Sequence, residues 1–191
     1  MGTHFSQLFW GLLIVLLDFS INGFDLLPDG VGYLIMAAGC YGLASLSPRF
    51  LTAQTLCLVL AVLWLIHFAI DGTAAVFFKF LMQVVNCVMI WQLLGGIREF
   101  ALSKTRQDLA RRAENRRLAY VALLAVSTIL AIGIQDSPEI APVAIVPVIA
   151  LLVLIVMILH LIHRVKVELV APERLVSEPA VDQEVNQEIE E

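Results

Sequence analysis

The 191-residue chain is 60% hydrophobic and 15% charged, with a formal net charge of -5 at pH 7. Soluble domains carry about a quarter charged residues, whereas the charges here stand in short blocks between long apolar runs. This pattern excludes an ordinary soluble domain. It also gives no support to a nucleic-acid partner, because the acidic excess lies largely in the C-terminal tail.

Six apolar runs approach the length of about 20 residues that a helix needs to cross a bilayer. They predict an all-α polytopic transmembrane bundle with spans at residues 5–21, 31–46, 51–70, 73–94, 118–134 and 142–163. Residues 1–166 then form the transmembrane domain, and residues 167–191 form an acidic, disordered cytoplasmic tail. The first two runs are short, so a re-entrant hairpin is an alternative to two full crossings.

The connections between the runs differ in charge. Arg49 lies between the second and third runs, seven bases lie between the fourth and fifth, and Arg164 and Lys166 follow the sixth. The other three connections carry acids and no base. Because bases accumulate on the cytoplasmic side of a membrane, we expect both termini and the basic loop 95–117 in the cytoplasm.

Small residues predict two local features. Ala38 and Gly42 are four residues apart in the second run, which is the spacing that lets helix backbones approach closely. Gly95 and Gly96 are expected to break the fourth helix. Residues 103–118 then predict a separate cytoplasmic helix.

Few polar side chains interrupt the apolar runs. Asp18, His67 and Lys79 fall in the outer third of the membrane under this topology. Lys79, Gln83 and Asn86 follow a spacing of 4 and 3 residues, so they share one face of the fourth helix. We expect this stripe to face the bundle interior as an intramembrane polar site in which Lys79 meets Asp18. Interhelical hydrogen bonding and snorkelling of Lys79 to headgroups are the structural alternatives.

A basic cluster directly before the fifth run consists of Arg111, Arg112, Arg116 and Arg117. The cluster is predicted to contact anionic lipid headgroups, at about 1 kcal/mol per base near the surface. Docking of a cytoplasmic protein partner is the alternative. The tail beyond Arg174 carries only acidic charges, and it is expected to be solvated, to screen this cluster or to meet a basic partner.

No pattern in the chain predicts a metal, a cofactor or catalysis. His160 and His163 share a helix face, but two ligands are too few for a metal site. The cysteines, Cys40, Cys57 and Cys87, stand far apart in apolar runs, which is typical of buried hydrophobic residues. Motifs of hydrolases, metalloproteases and nucleotide-binding proteins are absent from the sequence.

Residues 18–33, DFSINGFDLLPDGVGY, gather acids, glycines and a proline between the first two runs. This segment resembles the DFxINGFDLLPDxxGY-like segment in a family of uncharacterised bacterial multi-pass membrane proteins, and the resemblance covers residues 9–36. It implies a multi-pass protein of the bacterial inner (plasma) membrane and brings no activity or site with it. The residues themselves predict an outer turn at Asn22-Gly23, and a cap for the second helix at Asp29.

Taken together, these patterns predict an integral membrane protein that is not an enzyme. The leading expectation is a scaffold or sensor that acts through its cytoplasmic loop and tail, with a protein partner or as a homo-oligomer. The alternative is a small transporter or channel that uses the polar site in the outer third of the membrane. A membrane-embedded enzyme is the third possibility.

Overall fold

A computed structural model describes residues 2–16, 20–21, 24–25, 29–67, 70, 73–136, 142–143 and 145–170. Its helices are α1 (Gly2–Leu16), α2 (Asp29–Leu43), α3 (Pro48–His67), α4 (Thr73–Ser103), α5 (Gln107–Asp136) and α6 (Ile145–Val165). A π-helical turn over Lys166–Val170 follows α6. Between α1 and α2, strand β1 (Ser20–Ile21) pairs antiparallel with strand β2 (Phe24–Asp25).

The helices close into a ring. Each helix packs against the next along the chain, and α6 returns to pack against α1. The connections over residues 44–47 and 104–106 are short, and short connections make consecutive helices antiparallel neighbours. The fully buried side chains of the apolar core include Phe5, Met36, Phe50, Leu94 and Ile162.

The two ends of the bundle differ in chemistry. The charged end holds the start of α1, the α2–α3 and α4–α5 turns and the end of α6, and it contains every arginine of the described residues. At the opposite end, which we call the cavity end, α1 and α3 finish and α2 and α4 begin. Ion pairs connect the helices at the charged end, and a cavity lies between the helices at the cavity end.

Three helices in the described part of the chain are long and apolar enough to cross a membrane. They cover Pro48–His67, Phe77–Ser103 and Ile145–Leu169, while α1 is apolar but shorter. Large apolar side chains on these helices point outward, including Leu65, Phe77 and Val146 at 63%, 72% and 68% exposure. Water does not favour such a surface but lipid does, so the chain is a helical membrane protein.

The segment predicted as a loop at 95–117 is largely helical. Gly95 and Gly96 do not break α4, which continues to Ser103, and α5 begins at Gln107 rather than near 118. A Cβ at Gly95 would lie 2.9 Å from Arg49 Cδ, and one at Gly96 would lie 3.0 Å from the Phe50 ring. The two glycines therefore let α3 pack closely on α4, and the prediction of a helix break was wrong.

The turn between α4 and α5 closes as a Schellman motif. The backbone N–H of Arg106 donates to the Ala101 carbonyl, and that of Thr105 donates to the Leu102 carbonyl, both at 2.9 Å. Thr105 has a φ of 58°, a conformation that usually selects glycine. The motif reverses the chain within three residues and sets α5 beside α4.

The first helix is shorter than predicted. α1 ends at Leu16 instead of residue 21, because Ser20–Ile21 pairs with Phe24–Asp25 in a hairpin. The predicted turn at Asn22-Gly23 lies outside the described residues. The strand pair on either side of this dipeptide was not predicted from the sequence.

Small residues bring α1 and α2 together, and they include one of the two residues that spacing predicted, because a Cβ at Gly42 would lie 2.3 Å from His4 Nδ1. Ala38 is exposed, so it is not part of the interface. A Cβ at Gly32 would lie 2.9 Å from the Gly11 carbonyl oxygen, and one at Gly39 would lie 2.9 Å from the His4 carbonyl oxygen. Because a backbone oxygen cannot rotate away, these two positions accept only glycine without a shift of the helices.

Candidate intramembrane binding site

A cavity of about 670 Å³ lies at the cavity end, and all six helices contribute to its wall. Its floor consists of Ile90, Tyr120 and Ile158, which are 3%, 3% and 0% exposed. Below this floor the bundle interior is close-packed and apolar. The cavity is therefore a blind space that ends near the middle of the helices.

One wall of the cavity is the polar stripe of α4. Lys79, Gln83 and Asn86 all line the space, as their spacing on one helix face requires. At 1.5 Å rise per residue, the stripe descends roughly 10 Å from Lys79 to Asn86. Asn86 Nδ2 donates to Tyr120 Oη at 3.5 Å, so the foot of the stripe is tied to α5.

Lys79 stands at the top of the stripe with its side chain exposed. No hydrogen bond or ion pair joins its ammonium group to another residue in the described ranges. Its predicted partner, Asp18, lies outside the described residues. The ammonium group is thus a cationic donor at the rim of the cavity.

A second polar wall comes from α2 and α3. Asp29 and Tyr33, one turn apart on α2, line the cavity together with Trp64 and His67 of α3. The His67 ring stacks on Phe78 of α4, with centroids 6.2 Å apart and an interplanar angle of 3°. The two rings lie parallel, so His67 contacts α4 at the wall of the cavity.

The remaining walls are aliphatic. Leu12, Val15 and Leu16 line the cavity from α1, and Leu151, Ile155 and Ile158 line it from α6. The polar and the aliphatic residues thus lie on opposite sides of one space. Such a site can hold a ligand that has both a polar and an apolar part.

Sequence reasoning placed His67, Lys79, Gln83 and Asn86 in one polar site, and these four residues do line one cavity. It missed Asp29, Tyr33, Trp64 and Tyr120. Asp29 was predicted only as a helix cap, and the three aromatic residues carried no prediction of a site. The usable signal was their spacing, since Asp29–Tyr33 and Trp64–His67 each lie about one helical turn apart.

The charged end holds a different arrangement. Glu99 of α4 accepts hydrogen bonds at 2.5 Å from Arg49 Nε and from Ser47 Oγ, which ties the α2–α3 turn to α4. Glu168 accepts from Arg106 and Arg164, which ties the end of α6 to the α4–α5 turn. These carboxylates connect elements that are far apart in sequence.

The predicted basic cluster divides into two pairs. Arg111 and Arg112 are exposed, whereas Arg116 and Arg117 are each 8% exposed. The Arg117 guanidinium lies 3.4 Å from the centroid of the Trp91 ring and donates to Glu114. The Arg117 side chain therefore makes its contacts within the bundle, and it is not available to bind lipid headgroups.

In the described part of the chain, no group of three His, Cys, Asp or Glu side chains is arranged to hold a metal ion. His160 and His163 are exposed at the charged end. Cys40 of α2 and Cys57 of α3 are buried neighbours, a proximity that their separation in sequence did not reveal.

Comparisons with protein-family models, with curated proteins and with solved structures find no match for this chain. The functional conclusion therefore rests on the residues and their geometry.

Proposed function

We propose that the protein is a six-span protein of the bacterial inner membrane that binds a small polar or amphipathic solute in its cavity and transports it. Both termini lie in the cytoplasm in this proposal. Its support is the concentration of arginines at the charged end, since bases favour the cytoplasmic side of a membrane. The cavity end then faces outward, and the solute enters from the outer side.

The observation that carries the proposal is the cavity that all six helices share. Its volume of about 670 Å³ falls within the range of about 300–1,000 Å³ that is usual for ligand pockets. Polar and ionisable residues are costly within a membrane unless they face a partner or a water-filled space. A purely structural bundle has no need for an open volume beside Lys79, Gln83 and Asn86.

Each wall has a role in this proposal. Lys79 attracts an anionic or strongly polar group at the rim, and the amides of Gln83 and Asn86 donate and accept hydrogen bonds deeper in the cavity. Trp64 and the aliphatic side chains of α1 and α6 cover the apolar part of the solute. The closed floor requires a conformational change before a solute can pass to the other side.

The first test is access. With Cys87 replaced by alanine, Gln83→Cys should react with a membrane-impermeant maleimide that is added outside intact cells. Leu94→Cys is the matched control, because Leu94 is fully buried beyond the floor, and it should not react. Labelling of Gln83→Cys only after the membrane is opened would contradict an outward-facing cavity.

The second test is flux. Vesicles that contain the protein are placed in iso-osmotic glycerol, glycine or sodium lactate, and their swelling is followed by light scattering. Faster swelling than in protein-free vesicles is expected for at least one of these solutes. The Asp18→Asn, Lys79→Ala double variant should abolish the difference, while Lys104→Ala at the charged end should not. Unchanged flux in the double variant would rule out transport through this site.

A scaffold or sensor function is the second candidate, and the exposure of Arg111 and Arg112 favours it. Neither arginine forms an ion pair with another residue in the described ranges. The protein is purified in mild detergent, and co-purifying proteins are identified before and after deletion of residues 171–191. Loss of a specific partner on this deletion would support the scaffold, whereas an unchanged set of proteins would exclude the tail as a docking segment.

A further inference from the structure

Among the described residues, the charged end contains more positive charge than its carboxylates can neutralise. It has four acids within the described residues, and each is paired with an arginine: Glu99 with Arg49, Asp108 with Arg106, Glu114 with Arg117, and Glu168 with Arg164. Arg111, Arg112 and Arg116 have no hydrogen bond or ion pair to a residue that the structure describes. The excess of charge therefore falls on one part of α5.

Arg116 is the unusual member of this group. It is 8% exposed, and its Nη1 atom is buried without a hydrogen-bond partner among the described residues. Burial lowers the pKa of the Arg116 guanidinium below its ordinary value, and the nearby charges of Arg112 and Arg164 lower it further. Arg164 is paired with Glu168, whereas Arg116 has no carboxylate partner among the described residues. A buried charge without an opposite charge is unfavourable unless an anion completes the site.

The positions of these three arginines indicate which anion fits. Arg112 lies one turn before Arg116 on α5, and Arg164 lies at the end of α6, which packs against α5. Guanidinium groups bind phosphate oxygens through two parallel hydrogen bonds. Exposed apolar side chains follow the cluster at Leu118 on α5 and, about two turns from Arg164, at Met157 on α6. A phosphate that is bound here can therefore continue into acyl chains that lie along the two helices.

We propose that Arg112, Arg116 and Arg164 form a binding site between α5 and α6 for the phosphate of an anionic phospholipid. Basic pockets between helices on the cytoplasmic side are suited to such headgroups. The site is separate from the cavity and lies at the opposite end of the bundle. It also differs from the four-arginine cluster that the sequence predicted, because Arg117 is held by Trp91 and Glu114.

The test compares loss of positive charge at the proposed site with loss of positive charge on the adjacent surface, both in the full-length protein. The Arg112→Gln, Arg116→Gln variant alters the site, and Arg111→Gln removes one exposed, unpaired charge from the adjacent surface. Each protein is purified in detergent with added phosphatidylglycerol or phosphatidylcholine, and retained lipid is counted by native mass spectrometry. Wild type and Arg111→Gln should retain phosphatidylglycerol in preference to phosphatidylcholine. The double variant should lose at least about tenfold in apparent affinity for phosphatidylglycerol.

Three outcomes would overturn the proposal. Equal retention in the double variant and in Arg111→Gln would show that the cluster acts only through general charge. Complete competition by inorganic phosphate would show that the ligand is free phosphate. Retention that appears only after residues 171–191 are deleted would show that the acidic tail occupies the site. If the double variant does not fold, Arg112→Gln alone serves, because Arg112 is exposed and its removal disturbs no core contact.

Discussion

The charged end and the cavity end are formed by the same six helices, yet they differ in packing and in how their polar groups are paired. At the charged end, every described acid is paired and the neighbouring core is closed, as Phe50, Leu94 and Ile97 are fully buried. At the cavity end, polar groups line an open volume and Lys79 has no ion pair to a described residue. The contrast indicates that the paired acids and the closed core of the charged end provide stability, with Arg112 and Arg116 as its unpaired exceptions among the described residues. The cavity end keeps a binding surface, as expected where function needs unsatisfied groups.

The largest expected effect on stability comes from one substitution, leucine to alanine, made once in the closed core and once at the cavity. Leu94→Ala creates a void in a closed core and should lower the free energy of unfolding by about 2–5 kcal/mol. Leu151→Ala borders a space that already exists, so it should cost about 1 kcal/mol. Unfolding of both variants in mixed micelles with increasing denaturing detergent measures the difference. Equal losses would mean that the cavity end is packed as tightly as the charged end.

The ion pair between α3 and α4 should have a smaller effect. Glu99→Gln removes the negative charge and one of the two oxygens that accept from Arg49 and Ser47. It should cost about 1–2 kcal/mol, since the Arg49 and Glu99 side chains are about a third exposed. Asp108→Asn is the control, because the exposed Arg106–Asp108 pair lies within one turn and should contribute less than about 0.5 kcal/mol. A double-mutant cycle with Arg49→Gln should recover most of the Glu99 effect as coupling. If the cycle shows no coupling energy, the Arg49–Glu99 ion pair does not stabilise the charged end.

The α4–α5 turn allows a stabilising change. Thr105 has a φ of 58°, where a β-branched side chain is strained. Thr105→Gly should raise the free energy of unfolding by about 0.5–1 kcal/mol, because relief of strain exceeds the added freedom of the unfolded chain. Thr105→Ala is the matched comparison, and it should gain less than the glycine variant. A loss of stability in Thr105→Gly would contradict the Schellman turn.

The smallest effect on stability is expected at Lys79. Its ammonium group has no ion pair in the described part of the chain, so Lys79→Gln should change the free energy of unfolding by less than about 0.5 kcal/mol. The same variant should weaken solute-dependent swelling of vesicles. A large loss of stability together with unchanged swelling would reverse the roles that we assign to the two ends.

Much of the fold follows from local pattern. The long apolar runs predict an all-helical membrane protein, and the structure confirms that class. The stripe of Lys79, Gln83 and Asn86 follows from helix periodicity alone, since residues three and four apart share a face. Such inferences succeed because they need no knowledge of which helices are neighbours.

What could not be predicted depends on contacts between distant parts of the chain. Gly95 and Gly96 resemble a helix break in sequence, and only the nearby Arg49 and Phe50 show why glycine is needed within a continuous helix. Tyr120 lies in an apolar run with no signal for the direction it faces, yet it meets Asn86 of another helix. The Arg116–Arg117 difference also arises from packing, because neighbouring arginines of equal charge lie in different surroundings.

The return of α6 to α1 has a consequence for how the protein is made. Lys166 Nζ donates to Ser6 Oγ at 2.7 Å, so nearly the first and nearly the last described residues meet. The cavity takes one of its aliphatic walls from α6, and that wall does not exist until synthesis has passed the sixth helix. A ribosome-bound chain that ends before α6 can hold the first five helices, but it lacks one wall of the cavity. We therefore expect binding to begin only when the last helix enters the membrane, so that an incomplete chain remains inert.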